Sequence, residues 1–128
     1  MRTIKQSEEI TPKEVLQILQ LKNEAFASLL DDTLLDVMVR ESQIVQYANE
    51  ESIVRQNEPS DSLYLILSGR CTVYVNDRLI SQIEAGDILG EMGVIQNTLR
   101  SGTVIAIEET KALKISDTTF KKMLKSHK

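Results

Sequence analysis

The apolar positions change period twice along the chain. Val15, Ile18 and Leu19, with Leu16 beside them, recur at helical spacing. Thr11-Pro12-Lys13-Glu14 precedes them with a cap, a proline at the first helical position and a capping-box glutamate. A second helix is predicted from Asp31-Asp32, whose carboxylates suit a helix start, through Leu34, Leu35, Val37, Met38 and Val39. Phe26 and Leu29 lie between the two helices and are expected to plug them onto the core. From Ser42 onward the pattern shortens to strands: Gln43–Tyr47, Ser52–Arg55, Leu63–Leu67, Cys71–Val75, Arg78–Ile83, Thr103–Ile107 and Lys111–Ile115, with the short apolar piece Ile88-Leu89. Leu63–Leu67 is apolar without alternation, which predicts burial on both faces. Asn76-Asp77 suits a two-residue hairpin turn, because both side chains tolerate positive φ. Asn57-Glu58-Pro59-Ser60-Asp61 is a turn cluster. A last helix, capped by Ser116 or Asp117, carries Phe120, Met123 and Leu124.

Two helices, about eight closely spaced strands and a final helix predict a mainly β fold with flanking helices. The expected architecture is an eight-stranded jelly roll with N-terminal helices and a C-terminal helix. No helix-length segments separate the strands, which argues against βαβ units. The length of 128 residues suits one core. We expect residues 1–24 to form an N-terminal helical segment and 25–128 the main domain.

Composition narrows the chemistry. The formal net charge is −4, which argues against direct nucleic-acid binding by this chain. The one basic cluster, Lys121, Lys122, Lys125 and Lys128, reads as a solvated helix end. Met1–Ile10 is polar and unlike a signal peptide, and no apolar run could insert in a membrane. A single cysteine, Cys71, reads as a small core residue and fits a reducing, cytoplasmic setting. The chain is expected to be cytoplasmic, or the cytosolic part of a larger protein. One histidine, His127, and one cysteine leave no His- or Cys-based metal centre and no Ser-His-Asp or Cys-His nucleophile. The carboxylate pairs Asp31-Asp32, Glu50-Glu51 and Glu108-Glu109 fall at caps and loops, where solvated turns explain them. Neither a P-loop nor a GxGxxG helix start is present.

What remains is Gly86–Val104, GDILGEMGVIQNTLRSGTV, which gathers four of the five glycines around Glu91 and Arg100. Two readings stand side by side. Glycines that let backbone N–H groups approach, an arginine fork and a carboxylate for sugar hydroxyls would make a cradle for a phosphorylated sugar. The other reading is a β-turn with an exposed surface ion pair, worth little.

The sequence Gly86-Asp87-Ile88-Leu89-Gly90-Glu91-Met92-Gly93, followed by Arg100-Ser101-Gly102-Thr103-Val104, resembles the phosphate-binding cassette of the cyclic nucleotide-binding domain family. That family includes the regulatory subunits of cyclic-AMP-dependent kinase and the catabolite activator proteins. Asp61–Gly69, Val104–Ala106 and Phe120-x-x-Met123-Leu124 are similar to further landmarks, so the resemblance spans about residues 25–125. Asn57 stands where the family usually has glycine, and asparagine tolerates left-handed geometry.

The resemblance implies a non-catalytic regulatory domain for cyclic AMP (cAMP) or cyclic GMP (cGMP), with cAMP favoured. It implies Glu91 on the ribose 2′-hydroxyl and a buried Arg100 on the cyclic phosphate. Backbone N–H groups of Met92, Gly93 and Ser101 would complete the cradle, with Gly90 at the start of a helical turn. Val54, Val73 and Ile83 would line the sugar and base. No cofactor is implied beyond the ligand. Family members usually continue into a further helix that covers the base, so the effector is expected in another domain or a partner protein outside this chain. Two alternatives accompany this reading: a structural or interaction module of the same fold without ligand, and, last, an enzyme acting on a phosphate ester.

Overall fold

The structure is a computed structural model that describes residues 2–5 and 10–126; the side chains of residues 2–5, 91, 92 and 126 lie outside that description. His127 and Lys128 are also outside the described residues. The chain order is β1 (Arg2–Lys5), α1 (Pro12–Lys22), α2 (Glu24–Ser28), α3 (Asp32–Arg40), β2 (Gln43–Tyr47), β3 (Ser52–Val54), β4 (Ser62–Ser68), β5 (Arg70–Val75), β6 (Arg78–Glu84), β7 (Ile88–Leu89), α4 (Glu91–Gln96), β8 (Thr103–Ala106), β9 (Thr110–Ser116) and α5 (Asp117–Ser126).

Local chemistry sets the helix starts. Thr11 Oγ1 accepts from the Glu14 N–H at 3.1 Å while Glu14 accepts from the Thr11 N–H at 3.0 Å, closing the predicted capping box. Asp31 Oδ1 accepts from the Leu34 N–H at 2.8 Å and opens α3. Ser116 Oγ accepts from the Thr119 N–H at 3.1 Å at the start of α5.

The strands form two antiparallel sheets, ordered β1-β2-β9-β4-β7 and β3-β8-β5-β6. Without β1, the remaining eight strands divide into two sheets of four in jelly-roll order, with each sheet drawing its strands from both halves of the chain. Among the described residues the two sheets stay separately hydrogen-bonded, so the barrel is not closed. The extra strand, β1, pairs with β2 (Thr3↔Val45) and extends one edge. The Asn76-Asp77 turn takes positive φ at both residues, 51° and 65°, and joins β5 to β6 in register Val75↔Arg78.

Two cores lie on either side of the first sheet. Leu63 and Leu65 of β4, Leu113 and Ile115 of β9 and Ile44 of β2 face the helices, where Val15, Leu19, Leu35, Met38, Phe120 and Met123 meet them. Tyr64 and Ile66 of β4, Ala112 of β9, and Val45 and Tyr47 of β2 face the second sheet and meet Val54, Cys71, Val104 and Ala106. The predicted two-faced burial of β4 follows from this: Leu63–Ile66 are all buried.

One expectation needs correction. Leu29 does not plug the helices onto the core. It is 49% exposed, because α2 ends at Ser28 and turns it outward, while Phe26 alone reaches the Phe120 ring, 6.4 Å between centroids. On α5 the inward stripe is Phe120 and Met123, while Leu124 is 44% exposed.

Candidate functional site

The turn Ala85-Gly86-Asp87 is anchored to β4 by Ile66 N–H to Asp87 O and Gly86 N–H to Ile66 O, both 2.9 Å. It delivers β7, which pairs with β4 at Tyr64↔Leu89. Gly90 then takes φ +90° and ψ −1°, a left-handed conformation open to glycine at little cost, and the chain bends into α4. A Cβ on Gly90 would collide with Arg100 Nη1, and one on Gly93 would collide with Ser60 Oγ. Both glycines are thus sites of close approach.

Arg100 sits on the strand-like segment before β8. Its N–H donates to Glu58 O at 2.8 Å, and its carbonyl accepts from the Asn57 N–H at 2.9 Å. Asn57 adopts φ 71°, the left-handed geometry its side chain tolerates. These contacts fasten the arginine to the turn before β4. Arg100 is only 7% exposed. Nη2 donates to Ser62 O at 2.8 Å, with the exposed Asp61 carboxylate 3.6 Å away, and Cζ lies 5.9 Å from the centre of the Tyr64 ring. Nη1 is buried without a hydrogen-bond partner. A buried guanidinium N–H left unpaired costs about 1–3 kcal/mol or more.

Beside it lies a cavity of about 420 Å³. Its apolar side comes from adjacent strands of the second sheet: Val54 on β3, Val104 on β8, Val73 on β5 and Ile83 on β6. The register places Val104 opposite both Val54 and Val73. Gly90, Gly93, Arg100 and Ser101 border the same space. The structure therefore brings together Val54, Val73, Ile83, Gly90, Gly93, Arg100 and Ser101 around one cavity. Glu91 and Met92 open α4, and their side chains lie outside the described residues.

Sequence reasoning missed several neighbours. The Ser62 carbonyl has no side-chain signature. Tyr64 reads only as part of an apolar strand, and Ser60, which also borders the cavity, reads only as a turn residue. Among the described residues no group of three or more His, Cys, Asp or Glu side chains could hold a metal ion, and no helix is long and apolar enough to cross a membrane.

A jelly roll whose sheet and glycine-rich segment enclose a cavity beside a buried arginine defines a small-molecule-binding domain. The family model "Cyclic nucleotide-binding domain" matches residues 44–127, and the chain belongs to that family. Over 106 residues it is 31% identical to a cGMP-dependent protein kinase of Toxoplasma gondii, covering 82% of this chain and 11% of the kinase. It is 28% identical over 115 residues to the cAMP-dependent protein kinase regulatory subunit of Candida albicans, covering 90% of this chain and 25% of that subunit. The chain thus spans a quarter or less of these two curated relatives. The regulatory domain of Toxoplasma gondii PKA, crystallised with cAMP, shares the fold at a TM-score of 0.79 and 18% identity, over 94% of this chain and 46% of that one.

Proposed function

We propose that this chain binds a cyclic nucleotide, cAMP in preference to cGMP, and acts as a non-catalytic sensor. The observation that carries the reading is Arg100: a buried cation with an unpartnered Nη1, beside a cavity with an apolar floor. An anionic phosphate would supply the missing acceptor, a charge-assisted hydrogen bond worth about 1.5–3 kcal/mol. Val54, Val73 and Ile83 would then cover the sugar and base. Glu91, by its place in the cassette, would accept from the ribose 2′-hydroxyl, and backbone N–H groups at Met92, Gly93 and Ser101 would complete the anion's shell.

Binding would work by population shift. Ligand that contacts Arg100 and the Gly90–Gly93 segment together favours the state in which that segment is closed on the sheet, and only this differential contact moves the equilibrium. The output would pass to an effector domain or a partner protein outside this chain, in the cytoplasm.

The test is thermal unfolding with added ligand. A ligand that binds only the folded state at a hundred times its Kd adds about 2.7 kcal/mol, a rise in Tm on the order of 10 °C for a domain of this size. We expect that rise with cAMP, a smaller one with cGMP at equal concentration, and at most about half of each for Arg100→Ala. An unchanged Tm with both nucleotides favours the ligand-free interaction module.

A further inference from the structure

Two buried polar atoms that lack a hydrogen-bond partner belong to residues bordering the same cavity: Arg100 Nη1 and Ser60 Oγ. Arg100 is already the anion's main partner in the reading above. Ser60 has no part in it. Its backbone is placed by Pro59, which bridges to Leu99 and so holds the turn beside Arg100. The two orphaned atoms lie against one short stretch of the cassette: Gly90 abuts Arg100 Nη1, and Gly93 abuts Ser60 Oγ. A hydroxyl can both donate and accept, so leaving it buried with neither role filled is a cost that the unliganded chain does not offset.

We propose that Ser60 is a second ligand-binding residue, whose hydroxyl donates to an oxygen of the phosphate bound by Arg100. The inference rests on the cyclic-nucleotide reading. A serine has one side-chain torsion with staggered wells, so the hydroxyl can swing from Gly93 toward the ligand without backbone movement. The phosphate would then meet two unlike donors from separate segments of the chain. The guanidinium comes from the segment between α4 and β8, the hydroxyl from the turn before β4. A second donor adds to the discrimination between the two exocyclic oxygens, which are already inequivalent in the chiral ring.

The alternative role for Ser60 is to fill space against Gly93, and the two roles separate experimentally. Calorimetric titration of the wild-type chain with cAMP and cGMP comes first; absence of binding overturns both the ligand reading and this inference. Where the wild type binds, Ser60→Ala is expected to weaken the preferred nucleotide about tenfold, the low end for a hydrogen bond to a charged group. The Tm of the unliganded variant is expected to hold or rise, because an unsatisfied buried hydroxyl has been removed. Equal affinity in wild type and Ser60→Ala overturns the inference and leaves the ligand reading standing. A second measurement uses the two diastereomeric phosphorothioate analogues of that nucleotide, in which sulfur, a weak acceptor, replaces one exocyclic oxygen or the other. The ratio of their affinities should change severalfold in Ser60→Ala. An unchanged ratio assigns Ser60 to packing and overturns the inference.

Discussion

The burial of Arg100 is the strongest single-residue statement in the fold. A 7%-exposed guanidinium with one nitrogen on the Ser62 carbonyl and another unpaired is held there by backbone hydrogen bonds to Asn57 and Glu58, against its own desolvation cost. The sequence made Arg100 visible only as part of a motif; alone, an arginine nine residues after a glutamate is equally a surface ion pair. Its partners were not legible. Ser62 O is a backbone acceptor 38 positions away, and nothing in residue types marks such a group. Gly90 sharpens the point. Its φ of +90° strains any side chain placed there, and a Cβ would meet Arg100 Nη1. Gly90→Ala should lower stability by about 1–2 kcal/mol from backbone strain alone, read as a lower denaturant midpoint at constant slope. The same variant should weaken nucleotide binding, because Arg100 must shift to admit the methyl.

At the scale of elements, the termini of helices and the hairpin were the legible parts, because their chemistry is local. Thr11 with Glu14, Asp31, and Asn76-Asp77 each act within a few residues, and each does in the fold what its type predicts. Loop apolar residues were not legible, as Leu29 shows: nothing within the chain segment says which way a residue after a short helix turns. β1 was missed for the same reason, since Arg2-Thr3-Ile4-Lys5 has too little alternation to declare a strand and gains its identity by pairing with β2.

One contact between elements titrates. Glu41, at the end of α3, accepts from Lys122 Nζ at 2.9 Å and from Thr119 Oγ1 at 3.2 Å on α5. The lysine contact, ahead of the others, holds the carboxyl below its ordinary value of 4.5. A lowered folded-state pKa means stability that is present above pH 4.5 and is lost as pH falls through the folded value. The Tm of Glu41→Gln should therefore lie below wild type at neutral pH, and the two should converge in acid. A gap that stays constant across the titration would show that the ion pair plays no part.

For the molecule as a whole, the decisive feature is a sheet with a core on each face. The unbroken apolar run of β4 announced it, and the structure assigns alternate residues of that run to the helical side and the sheet side. Leu65 is fully buried on the helical side, so Leu65→Ala should cost about 2–5 kcal/mol in denaturant unfolding. The sheet order that turns eight strands into a jelly roll was not readable from spacing alone. It depends on pairings such as β2 with β9, from Gln43↔Lys114 to Tyr47↔Thr110, which are about half the chain apart and which no local pattern records. The cavity inherits that property, since its wall takes residues from β3, β5, β6, β7 and β8.

The central claim is that this cavity and Arg100 bind a cyclic nucleotide. Isothermal titration calorimetry of the whole chain with cAMP and with cGMP tests it most directly. The account predicts saturable one-to-one binding, tighter for cAMP, and weakened at least tenfold by Arg100→Ala. No heat from either nucleotide at high protein concentration, or binding that Arg100→Ala leaves unchanged, would contradict it.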